Sequence, residues 1–179
     1  MRPMWLAVGL VFSACGPVEL PATSLQTVPE LEVQRFLGKW YDVADFPQRF
    51  QQDCRCTTAQ YDLLPWGEIL VRNGCRTGSP DGTPSGAVAR AWRPDDDKQG
   101  QLLVSFAPGQ KSPYWVVELG ADYDYAVISN PERSTLWILS RSKDMDPTLF
   151  DGILNRLEAD GFDLSRLERG IQDLSLIHI

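Results

Sequence analysis

The sequence predicts an all-β fold, an eight-stranded up-and-down antiparallel β-barrel with a short helix before it and one helix packed outside. The chain has 179 residues, 43% of them hydrophobic, which suits one domain with a substantial core. About eight runs alternate apolar and polar residues and are joined by short turns, and eight strands close into a barrel wide enough for one small ligand. The first strand carries Trp40 and the last ends in Arg141, whose guanidinium can stack on an indole.

The first predicted strand begins at Gly38 and runs to a loop at residues 46–53. Alternation places Trp40, Asp42, Ala44 and Phe46 on one of its faces. The period of two and intervening Gly or Pro turns then predict seven more strands, at residues 56–64, 68–75, 86–92, 102–107, 114–119, 123–129 and 134–141.

Two helices complete the predicted fold. Residues 30–37 have an apolar side that suits a plug for the base of the barrel. Asp146 can cap a second helix, Pro147 suits its first turn, and Gly161 ends it. The apolar face of this helix should lie on the outside of the barrel.

The stretch from Tyr114 to Arg141 resembles the lipocalin family. It reads Y-x-V-x-x-L, then Y-x-x-A-x-x-S, then N-P-x-R-x-x-L-W-I-L-S-R, and Gly38-x-Trp40 precedes it. The resemblance covers roughly residues 30–165, a whole domain by size, and is nearest to the bacterial outer-membrane lipoprotein and apolipoprotein D branch. It implies that Gly38, Trp40 and Arg141 are structural and close the base of the barrel.

The same resemblance implies a small hydrophobic ligand, a fatty acid or lysophospholipid, inside the barrel calyx. Small inward alanines would leave volume for it. Phe46 and Phe50, in the loop over the mouth, either gate the ligand or only pack the loop down. The expected lining is Phe46, Phe50, Ala59, Tyr61, Val71, Ala89, Ala91, Val104, Phe106, Tyr114 and Val116.

Residues 1–14 have the pattern of a short signal peptide, with one cation and then an apolar run. Phe12-Ser13-Ala14-Cys15 resembles a bacterial lipobox, and the alternative is an ordinary signal with an incidental cysteine. We expect Cys15 to be acylated, residues 15–29 to form a tether, and residues 30–173 to form the domain. The protein would then be anchored in the outer membrane, facing the periplasm.

Three further cysteines allow one disulfide in such a compartment. Cys54 and Cys56 are two residues apart on one extended segment, so they bridge each other poorly, and Cys75 is near both on the neighbouring strand. We expect Cys75 to pair with Cys56, which is favoured, or with Cys54. A metal site would need a fourth ligand, and none is expected.

Other functions find little support in the sequence. The net charge of -7, without a basic cluster, argues against a nucleic-acid partner. The only histidine, His178, lies in the apolar segment 174–179, which matches the translation of a transposase end used in sequencing libraries and is expected to be foreign. No nucleophile, phosphate loop or cofactor motif is evident, so we expect no enzyme and no cofactor. A lipocalin-fold enzyme acting on a lipid or isoprenoid, a structural lipoprotein with a filled barrel, and a homodimer stay open as alternatives.

Overall fold

The structure is a computed structural model that describes residues 24–172. The signal segment, Cys15 and the segment 174–179 therefore lie outside the described residues. In chain order the elements are α1 (Val33–Phe36), β1 (Gly38–Asp45), a 3-10 turn (Arg49–Gln51), β2 (Cys54–Leu63), β3 (Ile69–Thr77), β4 (Pro84–Trp92), β5 (Gln101–Ser105), β6 (Ser112–Leu119), β7 (Tyr125–Ser129), β8 (Leu136–Ser140), α2 (Pro147–Ala159), a second 3-10 turn (Leu164–Arg166) and β9 (Glu168–Arg169).

Each strand from β1 to β8 pairs antiparallel with the next, and β8 pairs back onto β1, so the sheet closes. The predicted eight-stranded barrel with one helix at each end of the chain is confirmed. Because consecutive strands run in opposite directions, the loops after β1, β3, β5 and β7 lie at one end, which we call the mouth. The other turns and α1 lie at the opposite end, the base.

The short strand β9, which the sequence analysis missed, contributes to the barrel wall near the mouth. At the base β1 pairs directly with β2, whereas higher up Ala44 and Asp45 pair with Arg169 and Glu168. The amide of Cys56 on β2 then donates to the carbonyl of Ile171. The C-terminal segment is thus inserted between β1 and β2 where these two strands separate.

Two apolar clusters form the core. One fills the barrel interior around Phe36 and Trp40, and the other lies between the outer wall and α2, around Ile138 and Ile153. Helix α2 begins as predicted, because the Asp146 carboxylate accepts a hydrogen bond from the Leu149 amide. Its hydrophobic face covers one side of the barrel.

Candidate functional site

The base of the barrel is closed by a stack of three side chains. The Trp40 ring is fully buried, its centroid lies 5.2 Å from that of Phe36, and its Nε1 donates to the Phe36 carbonyl at 2.8 Å. The Arg141 guanidinium lies 3.7 Å from the Trp40 ring centroid. Gly38 has φ +93°, and a Cβ there would lie 3.3 Å from Arg141 Nη1, so glycine suits this position. Any ligand must therefore enter from the mouth.

The wall above this base presents a mostly apolar inner face. Cross-strand register brings together the pairs Trp40 and Ala59, Tyr61 and Val71, Val71 and Ala89, and Ala91 and Val104. The hydroxyls of Tyr61 and Tyr114 lie 2.6 Å apart. Burial raises the pKa of both phenols, so both stay neutral at physiological pH. Of the predicted lining residues, the structure places these on the inner face: Ala59, Tyr61, Val71, Ala89, Ala91, Val104, Tyr114 and Val116.

The inner face reaches solvent near the mouth. Ala87 pairs with Asn73 and continues the inward row of Ala89 and Ala91, yet it is exposed. Ser112, which pairs with buried Val104, is also exposed. β5 pairs with β4 only at residues 90–92, so the outer part of β4 extends beyond its neighbour. The upper part of the inner face between β3 and β6 is therefore exposed to solvent.

Phe46 is not a lining residue, and this prediction is wrong. A β-bulge between Asp42 and Ala44 inserts one residue into β1, which reverses the faces that follow it. Phe46 is consequently buried on the outer side, with its ring centroid 6.5 Å from that of Phe162 and the Arg166 guanidinium 4.5 Å from its ring. It packs the loop against the helical side of the barrel. The 3-10 turn contains Phe50, whose side chain is not among those the structure describes.

Phe106 is also misplaced in the prediction. β5 ends at Ser105, and Phe106 is 47% exposed in the following turn at the mouth. It continues the alternation of Leu102 and Val104, but the strand ends before its side chain can be buried. The inner surface therefore stops one residue earlier than the alternation suggested.

The disulfide joins Cys54 to Cys75, with a Cα to Cα distance of 5.4 Å, so the favoured Cys56–Cys75 pair is wrong. An irregularity in β2 between Arg55 and Thr58 shifts the register against β3. Cys56 lies within this bulge at φ 53° and is a free thiol. The bulge directs its side chain away from Cys75 and leaves the alternative, Cys54, in bonding position.

The same β1 bulge creates a polar site that the sequence analysis did not predict. It returns Asp45 to the inner face beside Asp42, since their cross-strand neighbours Trp137 and Leu139 both point inward. The Trp137 indole donates to Gln51 Oε1 at 3.0 Å. Asp42, Asp45, Gln51 and Trp137 thus form a group on the inner wall between base and mouth. Period-two alternation places Asp42 on the Trp40 face but could not find Asp45 there, because the bulge has no signal in the sequence.

Asp42 is the unusual member of this group. It is 2% exposed, and neither of its carboxyl oxygens has a hydrogen-bond partner of ordinary geometry among the described residues. Burial and the neighbouring Asp45 raise the pKa of Asp42 well above its usual value, and the interaction with the Gln51 side chain opposes this only in part. Burial likewise raises the pKa of Asp45. Two adjacent carboxyl groups of this kind tend to share one proton.

Glu118 on β6 faces outward and does not join the carboxyl groups of the inner wall. A register irregularity between Val116 and Glu118 shifts it to the helical side, where it accepts hydrogen bonds from Tyr125 and Arg156. Residues 24–172 contain no group of three His, Cys, Asp or Glu side chains placed to hold a metal ion. Within the same range, neither helix has the length and apolar character needed to cross a bilayer.

Residues 31–172 match the family model described as a lipocalin-like domain. The chain belongs to the lipocalin family. It is 31% identical over 165 residues to the outer membrane lipoprotein Blc of Escherichia coli strain K12, which covers 89% of each chain. It is 33% identical over 153 residues to temperature-induced lipocalin-1 of Arabidopsis thaliana, covering 81% of each. Among solved structures, insecticyanin of Manduca sexta superposes with a TM-score of 0.67 at 22% identity, covering 86% of each chain.

Membership in this family agrees with the geometry of the base. The resemblance placed Gly38, Trp40 and Arg141 together, and these residues are in contact in the structure. The lipocalin barrel is therefore closed at its base, while inward-facing positions at the mouth end of β4 and β6 are exposed. The inner face of this barrel, the calyx, is a candidate binding site.

Proposed function

We propose that this lipocalin binds a single-chain amphiphile, such as a fatty acid or lysophospholipid, in the barrel calyx. The observation that carries the proposal is that the inner face of the barrel is closed at the base and exposed to solvent at the mouth. Phe36 and Trp40 close the base, whereas Ala87 and Ser112 are inward-facing positions that solvent reaches. An inner face that is closed at the base, exposed at its upper end and lined by Ala and Val would suit an acyl chain entering tail first.

The small size of the wall residues supports this proposal. Ala59 on β2 and Ala89 and Ala91 on β4 all lie on the inner face, and Val71 of β3 pairs with Ala89. About eight methylenes removed from water would supply about 6 kcal/mol. Micromolar affinity corresponds to about 8 kcal/mol, and immobilisation costs add to that requirement. The polar head of the ligand must therefore contribute as well.

Mass spectrometry of lipids retained through purification tests this function. The protein should carry a single-chain amphiphile at no more than one molecule per barrel. The protein should be purified without detergent. A variant with an outer-surface substitution, such as Arg72→Ala, is purified in the same way as a control and should carry the same lipid. Recovery of no lipid from either preparation, together with no uptake of an added apolar probe, would refute the proposal.

Binding and not turnover is the activity we propose. A lipid carried through purification should be recovered chemically unchanged after prolonged incubation with the protein. Appearance of a hydrolysed or rearranged product, in proportion to protein concentration, would instead favour the alternative of a lipocalin-fold enzyme acting on a lipid or isoprenoid.

We further propose that acylated Cys15 anchors the protein in the outer membrane, facing the periplasm. The lipobox-like sequence before Cys15 supports this location, and the relatives named outer membrane lipoprotein in Escherichia coli and Vibrio cholerae are consistent with it. Residues 15–29 would then act as a tether to the barrel.

A further inference from the structure

The pair Asp42 and Asp45 is a polar group inside a barrel whose other inner residues are mainly apolar. Asp42 is buried, and both of its oxygens lack a hydrogen-bond partner of ordinary geometry among the described residues, although its side chain interacts with those of Asp45 and Gln51. Buried carboxyl groups in proteins are normally hydrogen-bonded or paired with a cation, because removal from water is otherwise costly. Asp42 therefore retains bonding capacity that a ligand in the proposed calyx site could use.

The surroundings of the pair identify what it would accept. Asp42 is close to Asp45 and Gln51, and its charge also raises the pKa of the phenols of Tyr61 and Tyr114. Asp45 additionally lies within the electrostatic range of Glu168 on β9. These neighbours are acidic or neutral, so none of them neutralises the pair.

A cation at the base, Arg141, acts on this part of the interior, where its charge lowers the pKa of Tyr61 and opposes the larger effect of burial. Its guanidinium is already engaged with the carbonyls of Arg35, Leu37, Lys39 and Tyr123. Arg141 is therefore committed to closing the base. The potential beside Asp42 favours a cation or a hydrogen-bond donor and disfavours an anion.

The position of the pair fits the head group of a bound amphiphile. Asp45 ends β1 on the mouth side, Gln51 belongs to the turn over the mouth, and Trp40 marks the base below. A ligand whose tail lies along the alanine-lined wall would bring its head to the level of Asp42 and Asp45. The bulge in β1 is what places both carboxyl groups there.

We propose that Asp42 and Asp45 receive the head of the ligand and select a hydrogen-bond donor, a primary ammonium or a hydroxyl, over a free carboxylate. This inference rests on the proposed function, because it requires a ligand inside the barrel. It narrows the ligand class to single-chain amphiphiles whose head offers N–H or O–H groups. A free fatty acid that is ionised at neutral pH is then a poor ligand.

Competition among three amphiphiles of one chain length tests the proposal. Dodecylamine, dodecanol and dodecanoate, each below its micelle concentration, would displace the neutral fluorescent probe N-phenyl-1-naphthylamine at pH 7. The wild type should prefer the amine and the alcohol over the acid by tenfold or more. In Asp42→Asn and in Asp45→Asn this preference should fall below threefold.

Asp62→Asn is the matched control, because Asp62 has the same charge but lies on the outer face of β2, where it pairs with Arg72. It should keep the wild-type preference, which separates a local effect from the overall negative charge. Both test substitutions conserve shape, and thermal unfolding checks that each variant is folded. If neither folds, the ranking of the three amphiphiles by the wild type in about 0.5 M salt, which screens the overall negative charge, still decides.

Equal affinity of the wild type for amine and acid, or a preference that survives in both test variants, would overturn the inference. Binding of all three amphiphiles would in that case leave the proposed calyx function intact. If the probe and all three amphiphiles fail to bind, both this inference and the proposed function are refuted.

Discussion

The guanidinium of Arg141 lies over the face of the Trp40 indole, 3.7 Å from the ring centroid, and donates hydrogen bonds to the carbonyls of Arg35, Leu37 and Lys39 at 2.7 to 2.9 Å. Arg141, which follows β8, is thereby bonded to the segment that contains α1 and the start of β1. One side chain thus holds the base plug and the strand closure together.

Arg141→Ala should lower the free energy of unfolding by about 3 kcal/mol, because it removes a cation–π contact and several charge-assisted hydrogen bonds. Arg72→Ala, which removes an arginine from a solvent-exposed ion pair with Asp62, should cost less than about 1 kcal/mol. Urea unfolding measures both. The number of N-phenyl-1-naphthylamine molecules bound per protein should be unchanged in Arg141→Ala. Loss of probe binding without loss of stability would place Arg141 in the ligand site.

The Cys54–Cys75 disulfide predicts a specific labelling pattern. Under non-reducing conditions an alkylating reagent should modify Cys56, and peptide mapping should find Cys54 linked to Cys75. Cys54→Ser should cost about 3 kcal/mol, the value expected for closing a loop of this length, while Cys56→Ser should be nearly neutral. A Cys56–Cys75 peptide would contradict the register described for β2 and β3.

The raised pKa of Asp42 gives a pH dependence whose sign is fixed. The folded state binds the proton more tightly than the unfolded chain, so the stabilisation is fully present below the usual pKa of 3.8 and is lost as pH rises towards the raised value. The asparagine in Asp42→Asn does not ionise, so this variant does not lose stability through this group as the pH rises. Its stability relative to wild type should therefore increase with pH from about 4 upwards, as measured by urea unfolding at several pH values. If the free energy of unfolding of Asp42→Asn minus that of the wild type is constant with pH, or decreases, the Asp42 carboxyl is not buried as described.

Much of the barrel could be predicted from the sequence because alternation is a local property of each strand. The residue pattern from Gly38 to Trp40 and from Asn130 to Arg141 also located the base. Bulges were not predictable in this way, since one inserted residue reverses the face of every residue that follows without altering composition. This single effect accounts for the misplacement of Phe46, for the missed Asp45 and for the preference given to Cys56.

The predicted lipid anchor is tested independently of the barrel. Cells grown with labelled fatty acid should yield labelled wild-type protein and unlabelled Cys15→Ala, because acylation requires the thiol at this position. Stable membrane attachment needs more than one acyl chain, so the variant should also leave the membrane fraction. Cys56→Ser serves as the control and should keep the label. Label on the Cys15→Ala variant would exclude Cys15 as the anchor.

Uptake of N-phenyl-1-naphthylamine by two neighbouring tryptophan variants tests the calyx most directly. Ala87 and Val88 are adjacent and exposed on the same part of β4, but Ala87 faces inward and Val88, 60% exposed, faces outward. Ala87→Trp should place an indole in the upper calyx and weaken binding at least tenfold, while Val88→Trp should bind as the wild type does. Equal binding by both variants, or loss confined to Val88→Trp, would show that the ligand lies outside the barrel.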